Sequence, residues 1–281
     1  MVPTLRYRVR PDEQLDRHAW AGVFTFALHG AVIGVRASDG SALVALRRAI
    51  PATSRPSHAP TVDAMYSLVV EHSSERRSAR RVCVLYEDAK LVARSDDIGT
   101  IASAFESAVE FKIATAARTR LYVHAGVVGW HGAALVFPGR THAGKSSLVA
   151  ALVRAGATYY SDEFAVLDDA GFVHPFPRAL GVRDENGRTQ RVSPSTLGAV
   201  GDRPLPVKLV AVTQHILRAR WNPTLMSPGE TVLALMDNTV AARKRPADAL
   251  RILGAVATGA RGIRSARGEA SRIAERLLAD C

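Results

Sequence analysis

The sequence predicts an α/β domain over residues 119–281, preceded by a smaller, β-rich α+β domain over residues 1–118. Three observations predict this division. The first part carries short apolar runs separated by turn residues, as strands do. After about residue 120, an apolar run leads into a glycine-rich loop and then into an amphipathic helical pattern, an order typical of α/β domains. With 281 residues, the chain is also long enough to bury two small cores.

In the first domain, short apolar segments predict six strands, and a helical repeat of apolar residues predicts one helix that closes the domain. Three prolines in residues 51–60 predict an irregular loop. The predicted strands cover residues 5–9, 23–28, 31–35, 66–70, 82–86 and 90–93, and the predicted helix covers residues 101–117. This half shows no pattern that indicates chemistry, so its role stays open.

In the second domain, strands are predicted over residues 121–128 and 133–137, joined by a hairpin at residues 129–132. A helix follows and ends at Gly156, and residues 158–160 and 164–167 read as a strand interrupted by three polar residues. The remaining predictions are a core strand over 207–213 and helices over 231–242, 247–257 and 269–278, with the basic residues 243–245 at the end of the first of these helices.

The loop after the second of these strands fits the phosphate-binding pattern G-x-x-x-x-G-K-[ST] in the strand–loop–helix context that the pattern requires. A chance match is expected roughly once in a few hundred chains of this kind. Backbone N–H groups of such a loop and the helix N-terminus hold phosphate oxygens, while the lysine contacts the β- and γ-phosphates and the serine hydroxyl ligates Mg²⁺. The predicted ATP- and Mg²⁺-binding residues are Gly139, Arg140, Thr141, His142, Ala143, Gly144, Lys145, Ser146 and Ser147.

Two adjacent carboxylates, Asp162 and Glu163, follow Ser146 by sixteen and seventeen residues, directly after a predicted strand. At a strand end they could lie opposite the phosphate-binding loop, where one carboxylate could hold Mg²⁺ and the other could accept a hydroxyl proton. Taken alone, the pair also fits a solvated acidic loop.

Three features around this loop resemble the HPr kinase/phosphorylase family. His124 lies in a strand 15 residues before Gly139; the helix ends at Gly156 before a short strand and the acidic pair; and Arg178-Ala179-Leu180-Gly181 is similar to the family's Arg-Gly-Leu-Gly segment. The resemblance covers about 60 residues, 122–182, with a plausible extension to the C-terminus.

The resemblance implies an α/β P-loop kinase core related in architecture to phosphoenolpyruvate carboxykinase. It implies that Asp162 is the catalytic base, that His124 lies close to the transferred phosphoryl group, and that Lys145 stabilises it. It further implies that Ser146 and Glu163 serve the metal. Because the family forms oligomers, it also implies that the chain could form a homo-oligomer.

The sequence departs from that family's pattern at three positions. His142 replaces a glycine of the loop, Glu163 replaces an aspartate, and Phe176 stands where the family has a metal-binding glutamate. The segment 174–178 instead resembles a subgroup of HPr kinase-like proteins, some of which phosphorylate a peptide serine and are encoded in peptide-modification clusters.

The composition indicates a folded chain without disulfide or zinc patterns. The formal charge is +11, but it comes from scattered arginines, without helicase motifs or interleaved aromatic residues, so no nucleic-acid partner is expected. The cysteines, Cys83 and Cys281, form no ligand cluster. No run of 18 apolar residues and no signal-peptide pattern occurs, so no membrane partner and a cytoplasmic location are expected.

These observations together predict an ATP- and Mg²⁺-dependent kinase that phosphorylates a hydroxyl, with a serine of a protein or peptide as the favoured acceptor. Two alternatives stay open at this stage. One is a kinase for a small-molecule hydroxyl compound, and the other is an ATP-binding switch or assembly protein that transfers no phosphoryl group.

Overall fold

The computed structural model describes residues 6–7, 15–73, 80–139, 143–183 and 189–281. The chain is a mixed α/β protein that divides into two compact units, Met1–Arg118 and Thr119–Cys281. Among the described residues, no helix is long and apolar enough to cross a membrane.

In its described residues, the first unit has a six-stranded sheet in the order β4-β2-β3-β6-β7-β8, together with two α-helices and a separate β1-β5 pair. Only the β3–β6 and β1–β5 pairings within it are parallel among the described strands. The elements are β1 (Arg6–Tyr7), β2 (Gly22–Leu28), β3 (Ala31–Ala37), α1 (Gly40–Arg48), β4 (Arg55–Pro56), β5 (Thr61–Val62), β6 (Ala64–Ser73), β7 (Arg80–Glu87), β8 (Lys90–Ser95) and α2 (Ile98–Ala116).

Helix α1 of this unit was missed by the sequence prediction. Its first turn is capped by Asp39, whose side chain accepts a hydrogen bond from the backbone N–H of Ala42. Its apolar residues form one unbroken run at 42–46, of which only Ala42 and Leu46 are buried, so the sequence does not show the spaced apolar repeat of an amphipathic helix. The predicted strands at 23–28, 31–35, 66–70, 82–86 and 90–93 all fall within observed strands.

The second unit contains an eight-stranded sheet, a β14–β15 hairpin and four helices among the described residues. The elements are β9 (Leu121–Trp130), β10 (Ala133–Pro138), α3 (Lys145–Arg154), β11 (Thr158–Ser161), β12 (Phe164–Leu167), β13 (Phe172–His174), β14 (Leu180–Arg183), β15 (Thr189–Val192), β16 (Leu205–His215), β17 (Thr224–Met226), α4 (Pro228–Met236), α5 (Pro246–Gly259), β18 (Arg261–Arg267) and α6 (Ala270–Ala279).

Strand β9 organises this sheet because it pairs along both edges. Its second half pairs with β10 and with β11, and its first half pairs with β12, all antiparallel. Strand β16 pairs in parallel with β10 and β18 and antiparallel with β13, so β9, β10, β16, β13 and β12 form a closed circuit of pairings. The β9–β10 turn is His131-Gly132, with φ values of 47° and 77°, a two-residue hairpin geometry.

Alternate residues of the central strands face two separate helical layers. Leu135 and Phe137 of β10 pack in the core cluster that contains α3 and α6. Ala134 and Val136 pack in the cluster that contains α4 and α5. This alternation follows from the two-residue period of a strand, and it leaves the sheet covered on both faces.

Two predictions in this unit were wrong. The predicted helix 231–242 ends at Met236, because the following residues pair with β9: the Asn238 carbonyl accepts from His124 N–H at 2.7 Å and Val240 N–H donates to Tyr122 at 3.0 Å. The basic residues 243–245 therefore precede α5 instead of ending a helix, and Arg245 pairs with Asp248 at 2.9 Å.

Replacing Phe137 tests the layered core. Its side chain is 1% exposed, so Phe137→Ala should lower the free energy of unfolding by about 3–5 kcal/mol in urea denaturation of the full chain. Leu225→Ala is the matched control, because Leu225 in β17 is 72% exposed and its loss should change stability by no more than about 0.5 kcal/mol. Equal effects of the two substitutions would contradict this layering.

Candidate functional site

The loop between β10 and α3 is held to the neighbouring strand at its first glycine. The N–H of Gly139 donates to the carbonyl of His124 at 3.1 Å. At the other end, Gly144 caps α3 in the left-handed region, with φ of 76°, which a residue with a side chain adopts only at a cost. Arg140, Thr141 and His142, which the sequence assigns to phosphate binding, lie outside the described residues.

Lys145 is the first residue of α3, and its side chain is buried. Its Nζ donates to the carbonyl of Gly139 at 2.9 Å, so the ammonium group lies across the described part of the loop. Burial lowers the pKa of Lys145, and the charges of Glu163 and Asp162 oppose that effect. The lysine is thus positioned for a negatively charged ligand at the loop.

The acidic pair forms the corner between β11 and β12. Because both strands pair with β9, the corner lies beside the middle of β9, and Phe164 pairs directly with His124. The Ser161 hydroxyl accepts hydrogen bonds from the N–H groups of Glu163 and Phe164, at 3.2 and 3.0 Å. These bonds fix the direction in which Asp162 and Glu163 leave the backbone.

Asp162 joins the corner to the first turn of α3. The Ser146 hydroxyl donates to its Oδ2 at 2.7 Å, and the Tyr159 hydroxyl lies 3.1 Å from its Oδ1. The residue is only 5% exposed, and this burial raises the pKa of the carboxyl group, against the Ser146 hydrogen bond and the charge of Arg178. Two hydrogen bonds therefore hold a nearly inaccessible carboxylate against the first turn of α3.

Glu163 is more open and lies beside His124. Its Oε1 is 3.4 Å from His124 Nδ1, and the glutamate side chain is 29% exposed. Burial acts to raise the pKa of Glu163, but the hydrogen bond with His124 and the charges of Lys145 and Arg178 outweigh it, so the pKa is lowered. Glu163 is accordingly ionised at neutral pH. The structure thus brings together His124, Lys145, Ser146 and both carboxylates.

Phe176 belongs to the core and not to this site. Its ring makes edge-on contacts with Tyr122 and Phe164, at centroid distances of 5.8 and 6.2 Å, and its side chain is buried. The glutamate that the HPr kinase pattern places here has no counterpart at this position. An apolar residue in a cluster of three aromatic rings explains why the position carries phenylalanine.

A cleft of about 720 Å³ runs from this site along α3 to the beginning of α6. Its far wall contains His215, Arg267 and Glu269, which the sequence did not indicate. His215 Nε2 lies 3.5 Å from Glu269 Oε1, and Arg267 donates to the carbonyl of Gly144 at 2.9 Å. Strand β18, which carries Arg267, was not predicted, because Ile263 is the one large apolar residue in its seven positions.

The oxygen atoms near Ser146 suit Mg²⁺. Among the described residues, no group of three or more histidine, cysteine, aspartate or glutamate side chains could hold a metal. Mg²⁺ does not need one, since it is commonly bound through one or two carboxylates together with water and substrate phosphates. The Ser146 hydroxyl and the Asp162 carboxylate, 2.7 Å apart, offer the hydroxyl-plus-carboxylate pair typical of nucleotide-bound magnesium.

No protein-family model matches this chain, and no curated protein matches it. The resemblance to HPr kinase therefore rests on the motifs and their spacing.

Gly144→Ala tests the loop geometry. The left-handed conformation costs about 1–2 kcal/mol for a residue with a Cβ, and that Cβ would lie 2.6 Å from the buried Arg267 guanidinium. We expect a loss of stability of at least this size in urea denaturation. The control is Gly254→Ala, where a Cβ has open space inside α5 and should stabilise by about 0.5–1 kcal/mol. If both alanines stabilise, the loop does not have this conformation.

Proposed function

We propose that residues 119–281 bind ATP with Mg²⁺ and transfer the γ-phosphoryl group to a hydroxyl, as a P-loop kinase similar to HPr kinase. The observation that carries this proposal is the 2.7 Å hydrogen bond from Ser146 to Asp162. It puts a carboxylate from a neighbouring strand end on the hydroxyl of the G-K-S motif, as in nucleotide-binding proteins that hold magnesium between these two groups.

The phosphate groups would bind to the loop and the first turn of α3. The N-cap residue of this helix is Gly144, which has no side chain to cap it, so the first N–H groups of the helix can donate to phosphate oxygens. Lys145 would exchange its hydrogen bond to the Gly139 carbonyl for bonds to phosphate, which also compensates for the cost of its burial.

Magnesium would be held by Ser146 and Asp162, and when bound it neutralises negative charge on the β- and γ-phosphates. This assignment differs from the one that the HPr kinase resemblance implies, which gives the metal to Ser146 and Glu163. Both Asp162 oxygens are already engaged within the protein, and the residue is 5% exposed, so an incoming hydroxyl compound has little access to it.

Glu163 is the better candidate for accepting the proton of the acceptor hydroxyl. The pKa shifts by themselves favour Asp162 as the base, because the pKa of Asp162 is raised and that of Glu163 is lowered, and a carboxylate with a higher pKa is the stronger base. Access decides in favour of Glu163, since phosphoryl transfer through a loose transition state depends more on positioning than on base strength. His124, 3.4 Å from Glu163, would orient this carboxylate beside the transferred group.

The favoured acceptor is a serine of a peptide or protein, and this rests on the resemblance of the segment 174–178 to kinases of peptide serines. A small-molecule hydroxyl compound fits the same chemistry. An ATP-binding switch would need the same nucleotide site but no acceptor. Transfer of labelled γ-phosphate to an acceptor therefore separates a kinase from a switch.

Transfer of labelled phosphate tests the proposal. The full chain, incubated with γ-labelled ATP, Mg²⁺, a library of serine peptides and a panel of hydroxylated metabolites, should label a member of one of these sets. Lys145→Ala should remove the labelling by weakening nucleotide binding. Label that appears solely as inorganic phosphate would support the switch, and no consumption or binding of ATP would reject both.

Two isosteric substitutions separate the roles of the carboxylates. Glu163→Gln should lower kcat by roughly 10²–10⁴-fold, the usual contribution of a general base, and leave the Mg²⁺ requirement unchanged. Asp162→Asn should raise the Mg²⁺ concentration needed for ATP binding by at least roughly tenfold. Titration calorimetry and initial rates measure both. If Asp162→Asn binds Mg²⁺ and ATP normally but loses kcat while Glu163→Gln keeps it, Asp162 is the base.

A further inference from the structure

Arg267, at the end of β18, is a buried cation that lines the cleft beside Gly144. The residue is 2% exposed, and it is the largest of the fully buried side chains described. Arginine does not lose its proton in proteins, so this burial places a full positive charge out of contact with water.

No carboxylate of the described residues pairs with this guanidinium. Its hydrogen-bond partners are the backbone carbonyls of Gly144, Gly268 and Ala143, at 2.9, 3.3 and 3.5 Å. Its buried Nε has no hydrogen-bond partner among the described residues. The negative charge of Glu269 attracts the Arg267 guanidinium. The Glu269 side chain is 60% exposed and lies 3.5 Å from His215, so solvent screens much of this attraction.

Two helix N-termini point into the same cleft beside Arg267. The first turn of α3 contributes Gly144 to Ser147, and the start of α6 contributes Ala270 and Ser271. Neither helix has a side-chain hydrogen bond at its N-cap, so both leave backbone N–H donors for a ligand. A buried, unbalanced cation next to two sets of such donors is an arrangement that an anion stabilises.

We propose that Arg267 and the N-terminus of α6 form a phosphate-binding subsite separate from the Lys145 position. The subsite goes beyond the proposed transfer reaction, because it requires only that a phosphate group binds. That group is either one of the phosphates of the bound nucleotide or a free phosphate. The Arg267 guanidinium and the α6 N–H groups supply the charge and the donors in both cases.

A charge placed on the α6 side of the cleft tests this subsite without disturbing the core. Ser271 is exposed, and Ser271→Glu adds a carboxylate near the N-terminus of α6. This negative charge stabilises the helix dipole but repels a bound anion. Inorganic phosphate and pyrophosphate are titrated by calorimetry at constant ionic strength and without Mg²⁺. Both should bind to the unmodified chain, and their affinity for Ser271→Glu should be at least tenfold lower. Ser271→Gln, the neutral control, should bind as the unmodified chain does. Equal affinities for all three proteins would overturn the proposal.

Substitution of Arg267 identifies the source of the phosphate. Arg267→Met should abolish the phosphate binding that remains in Lys145→Ala, Arg267→Lys should retain part of it, and Arg264→Met, which replaces an exposed arginine on the same strand, should have no effect. If ATP affinity falls together with phosphate affinity, the group belongs to the nucleotide; if ATP affinity is unchanged, the ligand is free phosphate. Loss of all phosphate binding in Lys145→Ala, or normal binding in folded Arg267→Met, would show that no separate subsite exists.

Discussion

The backbone pairing of β9 is the constraint on which the candidate site depends. One edge of this strand pairs with β10, which leads into the loop before α3, and the other edge pairs with β11 and β12, which meet at the acidic corner. His124 lies in β9 itself, and its carbonyl accepts from Gly139 while its ring lies 4.7 Å from that of Phe164. A slip of one residue in either pairing would turn these side chains to the other face of the sheet.

The charges around the loop balance one another only in part. Lys145 and Glu163 stabilise each other electrostatically, and Asp162 is held by hydrogen bonds that oppose the cost of its burial. Among the described residues, Arg267 donates hydrogen bonds to backbone carbonyls alone, and the carboxylate whose charge acts on it is the exposed Glu269. A site with two buried cations beside two helix N-termini is suited to a polyanionic ligand, because such a ligand can compensate several buried charges at once.

Much of the strand pattern and the central part of the site could be predicted from the sequence. The loop motif and the turn at Gly156 have strong local signals, and the predicted strand before Asp162-Glu163 indicated that the pair could lie opposite the loop, where the Ser146–Asp162 hydrogen bond now joins them. Strand β18 could not be predicted, because its pairing with β16 stabilises a segment with one large apolar residue. Arg267 was missed with it, and its burial depends on contacts with residues more than 120 positions away. Sequence also could not show that Asp162 is less exposed than Glu163, since this difference arises from Tyr159 and Ser146 packing around Asp162.

The central claim is that the loop, Ser146 and the acidic corner form one site for a magnesium-bound nucleoside triphosphate. A crystal structure of the full chain with Mg²⁺ and a non-hydrolysable ATP analogue tests it most directly. We expect the β- and γ-phosphates to contact Lys145 and the N–H groups at the start of α3, with Mg²⁺ about 2.0–2.1 Å from the Ser146 hydroxyl oxygen. Asp162 should lie on the metal side, and Glu163 should face the open cleft. A nucleotide bound elsewhere, or a metal that contacts neither Ser146 nor a carboxylate of this corner, would contradict it.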